Sequence, residues 1–225
     1  MPDTLIEAES VNRRYQQGGV SVIALACATF RLYAGDRVAL IGRSGSGKST
    51  LLHLMAGLDV PTGGILAWPS LGAGETLLPG KIALVFQVPS LLEPLTVSEN
   101  VALPLLMANA TCDISRAVAD SLATFGLESL ARKLPEELSG GQMQRVAMAR
   151  ASVGNPSVIL ADEPTGQLDQ STGRALLDAL DAHLAGTRTA LVIATHDPAV
   201  AERMERIWQI EHGALIEAVA AGERI

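Results

Sequence analysis

A glycine-rich loop set between an apolar run and a helical pattern constrains the fold of this chain more than any other feature. The apolar run at residues 38–41 leads directly into the loop at 42–50, and apolar residues then recur at helical spacing until Gly57. The loop matches the pattern G-x-x-x-x-G-K-[ST], which indicates a nucleoside triphosphate site. Strand, loop and helix in this order predict an α/β fold.

The residues of this loop predict how phosphates would be bound. Glycines let the backbone turn tightly, so that N–H groups face the phosphates at the start of a helix whose dipole favours anions. Lys48 would reach the β and γ phosphates, and the Ser49 hydroxyl would bind Mg²⁺. A chance Gly-Ser linker would not need Lys-Ser-Thr between a buried strand and an apolar helix. The candidate nucleotide-binding residues are Gly42, Ser44, Gly45, Ser46, Gly47, Lys48, Ser49 and Thr50.

Three further apolar runs are predicted to be buried strands that end in polar residues. The runs lie at residues 82–86, 158–161 and 190–194. The polar residues that follow them are Gln87, Asp162, Glu163 and His196. Ligands of open α/β sheets bind at the carboxyl ends of the strands, so we expect these side chains to converge with Lys48 at one edge of a sheet.

Two adjacent carboxylates at the end of an apolar strand suit a metal site beside a general base. Asp162 would help to bind Mg²⁺, and Glu163 would polarise the water that attacks the γ-phosphate, because strand alternation points neighbouring side chains in different directions. His196 would hydrogen-bond the γ-phosphate and orient that water, and the Gln87 amide would contact Mg²⁺ or water. Solvated acids are the ordinary reading of an isolated Asp-Glu pair, but the loop at Lys48 requires a magnesium partner.

A second glycine-rich segment, formed by Ser139, Gly140, Gly141 and Gln142, begins another helical pattern. Its serine and bare glycine backbone again predict an anion site at a helix N-terminus. A second phosphate cradle beside a single G-x-x-x-x-G-K-S loop is unusual unless it serves the nucleotide of another chain. A serine-capped helix start is the alternative reading of any single S-x-x-Q pattern.

Helical periodicity between residues 94 and 138 predicts an inserted helical subdomain. Short strands around turns at Gly18-Gly19 and His212-Gly213 are expected near both ends, at residues 5–11, 22–32, 207–210 and 215–218. The predicted fold is therefore one α/β domain over residues 1–225. It would combine a P-loop NTPase core, an antiparallel β subdomain and an α-helical subdomain at 94–138.

Composition excludes several classes of protein. A formal net charge of −7 and a pI near 5.1 argue against broad contact with nucleic acid. No uninterrupted apolar stretch approaches the roughly 20 residues that cross a bilayer. The first residues lack the basic start and apolar segment of a secretory signal. We therefore expect a cytoplasmic chain without a nucleic-acid partner.

Two longer segments carry a family resemblance. They are LSGGQMQRVAMAR at 138–150 and LADEPTGQLD at 160–169. With the loop at 42–50 they make the chain similar, over nearly its whole length, to the ATPase subunits of ABC transporters. Residues 95–104 and the second segment resemble the cassettes of lipoprotein release, macrolide export, bacitracin resistance and cell division. The resemblance implies ATP and Mg²⁺ as cofactors and ATP hydrolysis as the activity.

The resemblance also implies a partner copy of the same chain. Two copies would form a head-to-tail homodimer around two ATP molecules, with Lys48 of one copy facing Ser139 and Gly141 of the other. ATP would close this dimer and hydrolysis would reopen it. Asp169 would lie at the dimer interface near the site of the other copy.

Two further roles follow from the resemblance alone. Tyr15 would stack on adenine, although it could equally pack against the core. Residues 87–96 would form part of a groove for a cytoplasmic helix of an integral membrane permease. The chain would then be peripheral on the inner face of the cell membrane. We expect it to drive a separate membrane subunit, for lipoprotein release or for export of drugs or peptides.

Three alternatives come from other classes of protein. A regulatory cassette of the cell-division type would show the same motifs and transmit force without transport. A soluble ABC ATPase of DNA repair, chromosome organisation or translation is disfavoured by the acidic charge, by the single cassette and by the short interval between Lys48 and Ser139. A P-loop kinase would not explain residues 139–142.

One segment departs from the family's pattern. Residues 65–81 are shorter than the usual strand, turn and helix, and the basic helix that normally precedes the strand before Gln87 is reduced or absent. We expect the edge of the β subdomain, and with it the docking of a membrane subunit, to differ there. Trp68 in this segment would serve equally well as core filler or as a contact.

Overall fold

A single mixed β-sheet organises the molecule. The computed structural model describes residues 3–72 and 76–220. Within them nine strands pair in the order β4-β1-β2-β9-β8-β3-β7-β6-β5. In chain order they are β1 Thr4–Gln17, β2 Val20–Tyr33, β3 Arg37–Ile41, β4 Gly63–Ala67, β5 Ile82–Val85, β6 Val158–Asp162, β7 Ala190–Thr195, β8 Arg206–Glu211 and β9 Ala214–Ala220.

The strands β8, β3, β7, β6 and β5 pair in parallel. The central strands β6 and β7 are buried at every residue. Strands covered on both faces are near-continuous apolar runs, which is the pattern that predicts them from sequence. The predicted strands at 38–41, 158–161 and 190–194 are confirmed, and β5 ends one residue earlier than predicted.

Two hairpins, together with β4 paired to β1, build the antiparallel part of the sheet. Strands β1 and β2 pair from Thr4–Tyr33 to Gln17–Val20, and β8 pairs with β9. Both central residues of each connecting turn have positive φ angles: 57° and 83° in the first turn, 49° and 78° in the second. Turns of this kind match the twist of hairpin strands. The turns predicted at Gly18-Gly19 and His212-Gly213 are confirmed, and β1 extends beyond its predicted end to reach the first of them.

The described residues form six helices: α1 Lys48–Met55, α2 Val97–Met107, α3 Ile114–Thr124, α4 Gly140–Ser152, α5 Gln170–Leu184 and α6 Pro198–Ala201. The helical pattern predicted between residues 94 and 138 corresponds to α2 and α3, followed by 3₁₀ turns at Glu128–Leu130 and Pro135–Glu137. The interpretation of 94–138 as a subdomain of a single domain stays a prediction.

The sheet separates two hydrophobic cores. Val158 and Leu160 of β6 belong to the core that includes α1, β1 and β2, whereas Ile159 and Ala161 belong to the core that includes α2 to α5. Successive side chains of a strand point to opposite faces, so β3, β5, β6 and β7 each contribute to both cores. Because β3, β5, β6 and β7 pair in parallel, their carboxyl ends lie at one edge of the sheet.

The short segment 65–81 packs against the core beside α1. The Trp68 indole N–H donates to the Met55 carbonyl at 2.9 Å, and Leu71 and Leu77 are buried. Trp68 is partly buried against the same core, as the core-filler reading of this residue expects. Residues 73–75, which fall within the segment where a helix is expected to be reduced or absent, lie outside the described part of the chain.

Candidate functional site

The loop after β3 is shaped by glycines that no other residue could replace easily. Gly47 has a φ angle of 108°, and a Cβ there would collide with the carbonyl oxygen of Ala24. A Cβ at Gly42 would lie 2.6 Å from Ser46 Oγ and 2.7 Å from the Ile210 carbonyl oxygen. These close approaches fix the loop at the N-terminus of α1, where Gly47 is the N-cap and gives no side-chain hydrogen bond. The first N–H groups of α1 thus remain free of a side-chain acceptor.

This loop forms one wall of a cavity of about 680 Å³. The predicted strand-end residues Gln87, Asp162, Glu163 and His196 all line it together with Lys48. The convergence expected from the carboxyl-end rule for open α/β sheets is therefore present. The remaining lining residues are Val22, Ile23, Ala24, Arg43, Ser44, Gly45, Gly47, Ser49 and Thr50.

The ammonium group of Lys48 is held inside this cavity by its own loop. Its Nζ donates to the Gly42 carbonyl at 2.8 Å and to the Arg43 carbonyl at 3.4 Å. Nζ also lies 3.6 Å from Glu163 Oε1, and the lysine side chain is only 7% exposed. A buried charge needs such partners. The cavity therefore holds a fixed positive charge next to a carboxylate.

Glu163 leaves the sheet in an uncommon backbone conformation. Its φ angle is 48°, in the left-handed region, while its N–H donates to the Ala194 carbonyl at 2.9 Å. Non-glycine residues adopt this conformation rarely, and such residues cluster at active sites. The turn brings Glu163 Oε2 to 2.6 Å from His196 Nδ1. Asp162 stays in β6 and is buried, so the two neighbouring carboxylates have separate surroundings.

The residues present fit a nucleotide with a magnesium ion. The start of α1 has no side-chain cap and the Lys48 ammonium lies in the cavity, whereas Ser46 Oγ is buried, has no hydrogen-bond partner among the described residues and does not line the cavity. No group of three or more His, Cys, Asp or Glu that could bind a metal occurs among residues 3–72 and 76–220. Mg²⁺ suits such a site because it takes few protein ligands and completes its shell with phosphate oxygens and water. Hydroxyl, amide and carboxylate oxygens from Ser49, Gln87 and Asp162 are of that kind.

The segment that starts α4 has different surroundings. Ser139 Oγ accepts the Gln142 N–H at 3.3 Å, and Gln142 Oε1 accepts the Ser139 N–H at 2.8 Å, which forms a capping box. The cavity lining does not include Ser139, Gly140, Gly141 or Gln142. The chain therefore does not bring this predicted site to its own Lys48.

Asp169 likewise lies away from the cavity, as the N-cap of α5. Its Oδ1 accepts N–H groups of Ser171 and Thr172, and its two oxygens accept their hydroxyls at 2.5 and 2.6 Å. The Ser171 hydroxyl, then the hydroxyl and N–H of Thr172, hold the pKa of Asp169 far below its ordinary value.

Tyr15 stands beside the cavity and outside its lining. Its cross-strand partner on β2 is Val22, which does line the cavity. Tyr15 is 37% exposed and belongs to neither hydrophobic core, and its hydroxyl donates to Asp59 Oδ2 at 2.7 Å. Sequence reasoning missed Val22, Ile23 and Ala24, because short apolar residues after a turn carry no signal of ligand contact.

The surface around residues 87–96 carries exposed apolar side chains. Val88 is 65% and Leu92 49% exposed. Arg150 of α4 donates to the Ser90 carbonyl at 2.8 Å, which ties this segment to the helix that starts at Gly140. No helix of the described residues is long and apolar enough to span a bilayer.

Comparisons with known proteins agree with this geometry. The family model described as ABC transporter matches residues 25–166. A lipoprotein-releasing system ATP-binding protein LolD from Legionella pneumophila (strain Lens) is 40% identical over 96% of this chain and 98% of its own length. The protein of the same name from Chromohalobacter salexigens is 41% identical over 96% of this chain and 94% of its own.

Solved structures give the same result. The dimeric ATP-binding cassette MJ0796 in a post-hydrolysis state, bound to ADP and Pi, superposes with a TM-score of 0.88 at 33% identity, over 98% of this chain and all of its own. A second dimeric structure of MJ0796, described as a bacterial ABC transporter cassette, gives a TM-score of 0.86 at 35% identity over the same shares. The chain therefore belongs to the ABC transporter family and is an ATP-binding ATPase cassette of that family.

Proposed function

We propose that this cassette hydrolyses ATP to drive a membrane permease that releases lipoproteins. The observation that carries the substrate class is the identity of 40–41% over 96% of the chain to proteins named for lipoprotein release. This identity favours lipoprotein release over drug or peptide export and over force transmission in cell division. The acidic charge remains in favour of a cassette without a nucleic-acid partner.

Within the cavity, the loop from Gly42 to Thr50 would hold the phosphates through backbone N–H groups at the start of α1, which has no side-chain cap. Lys48 would exchange its loop carbonyls for phosphate oxygens, which are better partners for an ammonium group. Ser49, Gln87 and Asp162 would hold Mg²⁺, which when bound neutralises phosphate charge and orients the γ-phosphate.

Glu163 is the general base of this proposal. A water molecule would give a proton to a Glu163 carboxylate oxygen as its own oxygen attacks the γ-phosphate, with ADP leaving. His196 Nδ1 contacts the second oxygen of the same carboxylate, so it orients the base and leaves the other ring nitrogen for the γ-phosphate. The left-handed backbone of Glu163 supports this role, because it separates the base from the metal ligand Asp162.

The same proposal assigns the start of α4 to the site of a second copy. The lining of their own cavity does not include Ser139, Gly140, Gly141 or Gln142, and both solved structures of the relative MJ0796 are dimeric. A head-to-tail homodimer would set these N–H groups against the phosphates held by Lys48 of the other copy, with Asp169 at the interface. Tyr15 would stack on the adenine base at the cavity mouth.

The permease contact is assigned to the segment 87–96. Its exposed apolar residues Val88 and Leu92 suit a docked helix. Gln87 lines the nucleotide cavity at one end of this segment, so docking and nucleotide occupancy would influence each other. The cassette would then be bound to the inner face of the cell membrane through its permease.

The test is reconstitution. Glu163→Gln protein with ATP and Mg²⁺ would capture the permease from detergent-solubilised native membranes, and the wild-type complex would then be placed in liposomes that carry a lipoprotein. ATP-dependent release of the lipoprotein to a soluble acceptor is the expected result. Capture of a permease that hydrolyses ATP without releasing lipoprotein would contradict the substrate class and favour the force-transmitting alternative.

A further inference from the structure

Arg13, Tyr15 and Asp59 form a cluster next to the nucleotide cavity. Two nitrogens of the Arg13 guanidinium contact the Asp59 carboxylate, Nη2 to Oδ1 at 2.6 Å and Nε to Oδ2 at 2.9 Å. The Tyr15 hydroxyl donates to the same carboxylate at 2.7 Å. The guanidinium carbon lies 4.6 Å from the centre of the Tyr15 ring, within cation–π range. Each of the three side chains therefore contacts the other two.

The cluster joins two elements that are distant in the sequence. Arg13 and Tyr15 belong to β1, whereas Asp59 lies in the connection that leaves α1. That connection is also fixed to β1 by its backbone, since the Thr62 N–H donates to the Asn12 carbonyl at 2.8 Å. Helix α1 begins at Lys48 in the phosphate loop. One short rigid element thus links the phosphate end of the site to Tyr15.

The pair of Arg13 and Asp59 is unlike an ordinary surface ion pair. Its side chains are 24% and 19% exposed, whereas Arg31 and Glu7, which pair between β2 and β1, are 62% and 38% exposed. Partial burial would raise the pKa of Asp59, but hydrogen bonds from Tyr15 and the Val60 N–H, together with the charge of Arg13, hold that pKa below its ordinary value. Charge-assisted two-point contacts of this kind fix geometry as well as adding energy.

The contacts restrict the Tyr15 ring in two ways. Asp59 anchors the hydroxyl at one end of the ring, and the Arg13 guanidinium lies over one of its faces. The opposite face of the ring is left for a ligand. Val22, the cross-strand partner of Tyr15, lines the cavity. A base gains affinity from stacking only to the extent that the ring already holds the right orientation, because ordering a side chain on binding weakens the complex.

We propose that Asp59 and Arg13 are positioning residues for the nucleotide base, which hold the ring of Tyr15 in the orientation on which a purine stacks. This inference rests on the proposed role of Tyr15 in the function above. Asp59 sets the tilt of the ring through the hydroxyl, and Arg13 directs the base to the open face. Affinity for the base, and not affinity for the phosphates, then depends on this pair.

The experiment compares ATP with inorganic tripolyphosphate, which carries the phosphates without a base. Dissociation constants are measured by titration calorimetry on the full chain, without Mg²⁺ so that no turnover occurs. Tyr15→Ala is expected to weaken ATP about tenfold, the range of base stacking on an aromatic side chain. Asp59→Asn and Arg13→Lys should each weaken ATP about fivefold, the factor that corresponds to ordering one free side chain. Tripolyphosphate should bind all four proteins, wild type included, alike.

The chain offers a matched control. Glu7→Gln removes another ion pair of β1, the one that Glu7 forms with Arg31 of β2, and it should change neither constant. Tyr15→Phe keeps the ring and loses the hydroxyl that Asp59 accepts, so it should match Asp59→Asn. If Asp59→Asn weakened the binding of both ATP and tripolyphosphate, Asp59 would only support α1, and the inference would be overturned.

Two other outcomes separate this inference from the proposed function. If Tyr15→Ala loses affinity for ATP alone while Asp59→Asn and Arg13→Lys do not, Tyr15 remains the base platform and the positioning role is wrong. If Tyr15→Ala leaves both constants unchanged, the base binds elsewhere and the adenine assignment fails together with the inference. ATP hydrolysis by the phosphate site would survive either result.

Discussion

Two glycine-rich helix starts in this chain look alike in sequence and differ in structure. The start of α1 at Gly47 has no side-chain cap, holds a buried lysine and faces four strand-end polar residues. The start of α4 at Ser139 is closed by a capping box with Gln142 and lies outside that cavity. The start of α1 therefore lies beside a cation and polar side chains of the kinds that phosphate chemistry uses. At the start of α4, a side chain of the same segment already accepts a backbone N–H.

A helix N-terminus that binds an anion needs further groups before it can catalyse a reaction. Free N–H groups attract an anion, but a reaction also needs a base and a fixed cation in reach. In the proposed site at α1, Lys48 would supply the cation and Glu163 the base. Lys48 Nζ lies 3.6 Å from one Glu163 carboxylate oxygen, and His196 Nδ1 lies 2.6 Å from the other. At α4 such groups would have to come from another copy of the protein.

The largest expected effect tests whether the α1 site performs the chemistry. Glu163→Gln should lower kcat for ATP hydrolysis about 10²- to 10⁴-fold, because a general base of this kind contributes that much. ATP binding should be retained, since Lys48 and the loop are unchanged. Steady-state phosphate release and equilibrium ATP binding measure the two quantities.

Glu128→Gln is the control for this change, because Glu128 is an exposed acid far from the cavity lining. It should hydrolyse ATP at the wild-type rate. Turnover by Glu163→Gln at a comparable rate would show that another group takes the proton, and the α1 cavity would then lose its assigned base.

The second prediction tests whether the α4 start of one copy completes the Lys48 site of another copy. Ser139→Arg and Lys48→Ala proteins should each be inactive alone, the first by blocking the α4 start and the second by losing the phosphate cation. Mixed at equal amounts they should recover up to about a quarter of wild-type activity, because half of the dimers would be mixed and each would hold one intact composite site. Phosphate release from the mixture, compared with each protein alone, measures this, and a mixture without activity would count against the head-to-tail arrangement.

Glycine substitutions at the two helix starts should differ in their effect on the free energy of unfolding. Gly47→Ala forces a φ angle of 108° and a collision with the Ala24 carbonyl, so unfolding free energy should fall by about 1–3 kcal/mol or more. Gly140→Ala meets no atom within 4 Å and should change stability by less than about 0.5 kcal/mol. Urea denaturation of both variants tests this. Equal losses would mean that the two helix starts are under the same steric constraint.

The features of the site that depend on local sequence patterns could be predicted, and so could those that follow from the parallel strands. The α1 site was predictable because its pattern is local: an apolar strand, a glycine loop and a helix lie within 20 consecutive residues. The convergence of Gln87, Glu163 and His196 was also predictable, since parallel strands share one carboxyl edge.

Other features depend on contacts between distant parts of the chain. The left-handed backbone of Glu163 follows from its N–H bond to Ala194, and a periodic pattern does not contain it. The contact between Tyr15 and Asp59 spans 44 residues, so it depends on how the connection after α1 lies along β1. Val22 to Ala24 line the cavity for the same reason. Tertiary packing decides these positions, and residue type alone does not.

The smallest expected effect separates two kinds of helix cap by pH. Ser139→Ala should cost about 1 kcal/mol of unfolding free energy at every pH, because a serine cap does not titrate. Asp169 is different: its pKa is lowered in the folded chain, so its charge stabilises the fold above the ordinary pKa of 3.8 and this contribution is lost as pH falls through the folded value. The stability difference between wild type and Asp169→Asn, which keeps a good cap, should therefore shrink as urea denaturation is repeated at pH 7, 4 and 3. A difference that stays constant with pH would mean that the hydroxyls of Ser171 and Thr172 do not hold the folded carboxylate, and the two caps would then be equivalent.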